Sequence, residues 1–254
     1  MEQEETPRKL CSNCQNEIAE GNFCSKCGQA QNDLEVQIYS KKWLSLLQAG
    51  LFILIQLVLC ICAFLIQETS ITITLALDFA MAGTAMAFFT YNWSENKQLL
   101  RWPNFSLKKL LAFVALAAMA SLTLHFIANY INTRLLHEKF TYFDVYKSHE
   151  YGRYIMILSM AIFPAVFEEL SFRGYLMQKL LIVVGEKEAI YISSFLFFII
   201  HLNVLSFFWL LPFAIILGRI RIKEKTIWYG VAIHFIFNLT TCLVEFFSID
   251  HFLS

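Results

Sequence analysis

The feature that most limits what this chain can fold into is a series of apolar stretches, several long enough to cross a bilayer. A helix needs roughly 20 apolar residues to cross. The stretches fall at 43–66, 71–93, 110–131, 154–167 with a continuation toward 184, 189–205, 206–220 and 226–247. They predict an all-α polytopic membrane protein of seven transmembrane helices, or eight if 168–184 makes its own crossing. Each of the five tryptophans (43, 93, 102, 209 and 228) lies at or near an end of a stretch, where indole rings anchor at the lipid–water interface.

Composition supports this class and excludes others. Of 254 residues, 57% are hydrophobic and 16% charged. A soluble domain carries roughly a quarter charged residues, so this chain could not cover itself with polar surface. Mean hydropathy is +0.55, and 25 phenylalanines outnumber the scarce Gly and Pro. A net charge of zero argues against a nucleic-acid partner. No secretory signal is expected, since the first apolar run begins near Trp43 behind a polar head with Glu2, Glu4 and Glu5.

Basic residues set the expected orientation. Arg8, Lys9, Lys26, Lys41 and Lys42 precede the first stretch. Lys97, Arg101, Lys108 and Lys109 lie between the second and third, and Arg219, Arg221, Lys223 and Lys225 precede the last. The 67–70 connection has neither Lys nor Arg, and the 132–153 loop is mixed in charge. With seven spans the N-terminus is cytoplasmic and the C-terminus outside, the expected location being the plasma membrane. An eighth span would break that parity.

Residues 1–30 read as a separate domain, 31–42 as a linker and 43–254 as the membrane domain. In the head, Cys11 and Cys14 form one C-x2-C pair and Cys24 and Cys27 a second, nine residues apart. Two such turns point four thiolates at one tetrahedral ion. So short a segment cannot build its own core, and a structural zinc would supply the folding energy. Gly28 follows the second turn, where the backbone is tight. The rival, two disulfides, is disfavoured on a reducing cytoplasmic side. Four Cys leave no open position for chemistry, so this ribbon is expected to bind a protein partner or regulate. Cys60, Cys62 and Cys242 lie in apolar runs and read as inert packing.

Ionisable residues inside spans are costly, so each is a functional candidate. The densest group is Glu168-Glu169-Leu170-Ser171-Phe172-Arg173. Neighbours on an α-helix point about 100° apart, so both glutamates are not expected to face one site. Glu169 and Arg173, at i and i+4, can pair and leave Glu168 free. Alternatively, the segment is a charged interfacial turn. Phe197 and His201 form F-x-x-x-H, and His234 and Asn238 form H-x-x-x-N. The latter is weak alone, for His125 and Asn129 repeat it in the third span. That copy reads as a chance match, and Asp78 as a structural partner for another polar group.

The order E-E-x-x-x-R, F-x-x-x-H, H-x-x-x-N over about 150–245 resembles the CPBP family of type II CAAX endopeptidases and bacteriocin-processing relatives. Leu217-Gly218-Arg219, Trp228 and Gly230 fit the approach to its last motif. The resemblance implies an intramembrane endopeptidase acting on a membrane-associated peptide or protein within the lipid. It assigns Glu168 and His201 to water activation, His234 and Asn238 to an oxyanion site, and Glu169 and Arg173 to support. An alternative places zinc on Glu168, His201 and His234, although H-E-x-x-H is absent and Asn is a poor zinc ligand. A catalytically silent scaffold or immunity protein of the same fold remains open. A transporter is a weaker reading, as no internal repeat is evident.

Overall fold

A computed structural model describes residues 10–11, 13–18, 23–29, 33–66, 70–131, 133–134, 143, 146–147 and 149–247. The expectations concerning residues 1–9, and most of those for the 67–70 and 132–153 connections, lie outside the described residues. Among the described residues there are seven long helices: α1 Asp33–Leu65, α2 Ile71–Tyr91, α3 Leu107–Ile131, α4 Gly152–Val183, α5 Glu186–Ile200, α6 Phe207–Glu224 and α7 Trp228–Phe246. Among the described residues there is no β-sheet, only an isolated bridge between Leu10 and Glu17.

Five helices (α1 from Gln37, α2, α3, α4 and α7) are long and apolar enough to cross a membrane. Stretches 154–167 and 168–184 prove to be one continuous helix of 32 residues. Residues 168–184 therefore do not form a helix of their own. The 189–205 and 206–220 stretches also differ from expectation. α5 has 15 residues, about 22 Å at 1.5 Å per residue, short of the roughly 30 Å hydrocarbon core. Leu202, at φ 50°, follows its end at His201 and turns the chain. α6 carries Arg221 and Lys223 in its last turn. The two pack as a hairpin. Residues 33–42, expected as linker, already belong to α1, so helix entry precedes the apolar run.

α4 lies at the centre and touches α1, α2, α5, α6 and α7. Its Phe172, Tyr175, Leu176 and Met177 are buried with Phe52 of α1 and Phe197 of α5. Phe52 meets Tyr175 and Phe172 edge-on, with ring centroids at 5.3 and 6.0 Å. Such edge contacts suit the ring quadrupoles and add about 0.5–1.5 kcal/mol each beyond burial. Large apolar side chains face outward, among them Leu47, Leu51 and Leu54 on α1 and Leu111 and Met119 on α3. In lipid these are surface residues at no cost, because the solvent is as apolar as they are.

At one end of the bundle the 92–106, 184–185 and 225–227 connections meet. Thr226 Oγ1 and Trp228 Nε1 donate to the carbonyls of Leu99 and Leu100 at 3.1 and 2.7 Å. Lys179 donates to Asn92 Oδ1 at 2.7 Å and pairs with Glu95, while Lys109 pairs with the buried Glu224. This end gathers Lys97 and Arg101 of the 92–106 connection with Lys109 of α3 and Lys223 of α6. Gln98 and Lys223 are both exposed there. Cysteines placed singly at these two positions are expected to react with an impermeant maleimide from the same membrane face. Reaction from opposite faces would refute this arrangement.

Candidate active site and metal centre

The four head cysteines converge: their Sγ atoms all lie within 4.8 Å of one another. Cys11–Cys27 and Cys14–Cys24 are each 3.6 Å apart between sulfurs. An ideal tetrahedron with metal–sulfur bonds of about 2.3 Å has edges of about 3.8 Å. The spacing fits one zinc and is too wide for disulfides. Two similar turns build it. Gln15 N–H donates to Cys11 C=O at 3.0 Å and Gly28 N–H to Cys24 C=O at 2.8 Å. Both turn residues have positive φ, 58° at Gln15 and 71° at Gly28. Glycine adopts that conformation without strain, which accounts for Gly28.

The Cys11 thiol is drawn down to about 6, chiefly by the Cys14 N–H that donates to its sulfur. A thiolate is the form a metal needs. Full-length protein is expected to carry one tightly held zinc, and Cys24→Ser to lose it, read by metal analysis of the purified protein. Undiminished zinc in Cys24→Ser would refute the assignment.

In the membrane domain α4 departs from α geometry around the motif residues. Met177 N–H reaches Phe172 C=O and Phe163 N–H reaches Leu158 C=O, both i→i−5. Pro164 supplies a local cause, since it has no N–H to give Met160 C=O, four residues earlier. That carbonyl instead accepts from Asn238 Nδ2 at 2.9 Å. Asn238 thus ties α7 to α4 through the bond that Pro164 leaves open.

Across the wide turn both glutamates approach His234, yet only Glu168 lines the cavity, in keeping with the expectation that Glu169 pairs with Arg173 and Glu168 faces elsewhere. Glu169 Oε1 lies 3.2 Å from His234 Nδ1, and Glu168 Oε2 lies 3.8 Å from His234 Nε2. His234 sits between the two carboxylates. An i→i+5 turn reduces the angle between successive side chains; Nδ1 is within hydrogen-bond distance of Glu169, whereas Nε2 stands beyond it from Glu168.

The two glutamates differ in surroundings. Glu169 is fully buried and pairs with Arg173 Nη1 at 3.1 Å, as its i, i+4 spacing predicts. Arg173 also donates to Ala214 C=O at 3.2 Å and stands 4.5 Å over the Phe197 ring. Gly230 makes room for this carboxylate: a Cβ there would come within 2.7 Å of Glu169 Oε2. Glu168 keeps 26% of its side chain exposed and lines a cavity of about 200 Å³.

His201 lines the same cavity from the end of α5. Its Nδ1 lies 2.7 Å from Phe197 C=O, which can only accept, so Nδ1 carries the hydrogen and Nε2 is left for other partners. Phe197 therefore serves twice in its motif, with its carbonyl on His201 and its ring face under Arg173. The structure brings Glu168 and His201 to one cavity and places His234 behind Glu168. Asn238 does not line that cavity. It is held on α4.

Two cavity groups escaped sequence reading, and a third, Asp78, has a second aspect. Gln56 of α1 and Ser171 of α4 line it, as does Asp78. Asp78 accepts a hydrogen bond from Ser159 Oγ, so its expected structural pairing is present, but it also faces the cavity. The available signal was a lone amide in an otherwise apolar segment of α1. His125 and Asn129, the motif copy, do not line the cavity.

Residues 151–240 match the family model for type II CAAX prenyl endopeptidase, Rce1-like. The matched segment contains Glu168, Glu169, Arg173, Phe197, His201, His234 and Asn238, and through it this part of the chain is similar to CAAX-type intramembrane proteases. No curated relative and no solved structure matches the chain.

Proposed function

We propose that the chain is a glutamate-type intramembrane endopeptidase that hydrolyses a peptide bond of a membrane-associated peptide or protein. The observation that carries this reading is the division of labour between neighbouring carboxylates. Glu169 is sealed in a buried ion pair, and Glu168 opens onto a cavity shared with His201.

In this reading Glu168 is the general base and takes a proton from a water held between its carboxylate and His201 Nε2. The water oxygen attacks the scissile carbonyl as its π bond opens, forming a tetrahedral oxyanion. His234, held by Glu169 through Nδ1, presents Nε2 toward the reacting centre and, when protonated, donates to the oxyanion. Asn238 is assigned to the same oxyanion site by the family pattern alone, since its amide is bonded to Met160 C=O and lies outside the cavity lining. Preorganised donors of this kind contribute a few kcal/mol to the transition state. The proton on Glu168 then passes to the leaving amine as the C–N bond breaks.

A zinc held by Glu168, His201 and His234 fits less well. Among the described residues only the four head cysteines form a group of three or more His, Cys, Asp or Glu side chains placed to hold a metal ion. The ribbon is assigned to a protein partner or to regulation, and the basic end of the bundle to the cytoplasmic face of the plasma membrane. The test is cleavage of a membrane-peptide library by purified protein, with Glu168→Gln and His234→Ala as variants, after separation of the ribbon and with and without chelator. Activity lost in both variants and kept under chelation is expected. Loss on chelation with recovery on adding zinc would establish the metal reading instead, and no cleavage by wild type would favour a scaffold.

A further inference from the structure

The cavity holds more polar groups than water activation requires. Gln56, 4% exposed, lines it and makes no hydrogen bond among the described residues. Its amide group stays accessible from the cavity and is open to bond a ligand there. Asp78 lines the same cavity from α2.

Asp78, like Glu168, differs from three other acids of the bundle in its partners. Glu169 has Arg173, Glu224 has Lys109 and Glu95 has Lys179. Asp78 has the Ser159 hydroxyl, which in turn accepts from Tyr146 OH at 3.3 Å, and no cation among the described residues. No Lys or Arg lines the cavity, whereas two carboxylates do, Asp78 and Glu168. Intramembrane carboxylates are retained where something compensates their charge. The missing component is a positive charge.

We propose that Asp78 and Gln56 form a cation-binding subsite that receives a Lys or Arg side chain of the substrate close to the cleaved bond. The inference rests on the protease reading for the word substrate, but not for binding itself. Met81, Ala82, Phe163 and Phe172 line the cavity and suit the methylene stem of such a side chain. Gln56 supplies a carbonyl to the cationic head and an amide to the peptide backbone. The subsite also lowers the cost of bringing a basic residue into lipid. Selectivity then follows from charge, because a neutral or acidic side chain leaves Asp78 uncompensated.

The experiment uses the full-length protein in lipid nanodiscs and three fluorescent Leu/Ala transmembrane peptides that differ at one central position: Lys, norleucine or Glu. Wild type is expected to bind the Lys peptide at least about tenfold more tightly than the norleucine peptide. Asp78→Asn, which can still accept from Ser159, should reduce that ratio to near unity. Asp78→Lys should shift preference to the Glu peptide, and Gln56→Leu should weaken binding of the Lys peptide while keeping the charge preference. Equal binding of Lys and norleucine peptides by wild type, or a preference that survives Asp78→Asn, overturns the subsite. Cleavage is read on the same samples. Preference without cleavage keeps the subsite and refutes the protease reading; cleavage without preference does the reverse.

Discussion

Arg173→Met should destabilise the membrane domain by about 3–5 kcal/mol, the usual cost of removing one partner of a buried ion pair. The guanidinium and the Glu169 carboxylate are both almost fully buried. Without Arg173 that carboxylate keeps only His234, which would have to hold a proton to compensate it. Ala214 C=O and the Phe197 ring also lose their partner. A neutral pair, Glu169→Gln with Arg173→Met, should recover much of the loss, because desolvation is expensive for charges and cheap for apolar groups. Equilibrium unfolding in mixed micelles reads both. An Arg173→Met protein within about 1 kcal/mol of wild type would show that the pair is not what holds α4 in place.

Glu168→Gln should lower kcat by about 10²–10⁴-fold with little change in KM, since a general base acts in the transition state and Gln keeps the shape. Stability should barely change, for Glu168 is partly exposed and has no Lys or Arg partner among the described residues. The contrast between neighbours is the informative part. Substitution at 168 is read in rate, and disruption of the pair at 169 and 173 is read in folding. A Glu168→Gln protein with wild-type kcat would remove Glu168 from the chemistry and leave the cavity as a binding site.

Some of the molecule is legible because the signals are local. C-x2-C twice, with Gly28 behind the second turn, specifies a four-sulfur centre, since knuckle geometry is set by a few consecutive residues. Apolar length is similarly decisive for α1, α2, α3 and α7, because a helix must satisfy its own backbone in lipid whatever surrounds it. The i, i+4 spacing of Glu169 and Arg173 needs only helix geometry, and the pair forms.

Other features depend on what packs against what. Apolar length alone could not reveal that 189–205 and 206–220 form a short hairpin, because the break at His201 and Leu202 carries no Gly or Pro. Nor could it separate α4 from a possible eighth span, as Glu168, Glu169 and Arg173 look like an interfacial turn until five helices close around them.

The sequence by itself determined the class of protein and the four-cysteine head, and it marked the candidates for acid–base chemistry, since these follow from composition and from spacings within one helix or turn. Tertiary structure decided how they are used. The i→i−5 turns of α4 set both glutamates against His234, Asn238 of α7 takes the carbonyl freed by Pro164, and Gln56 and Asp78 arrive at the cavity from α1 and α2. The physical reason is that a side chain's role in lipid depends on which partner meets it across helices, and no periodicity within a single helix encodes that partner.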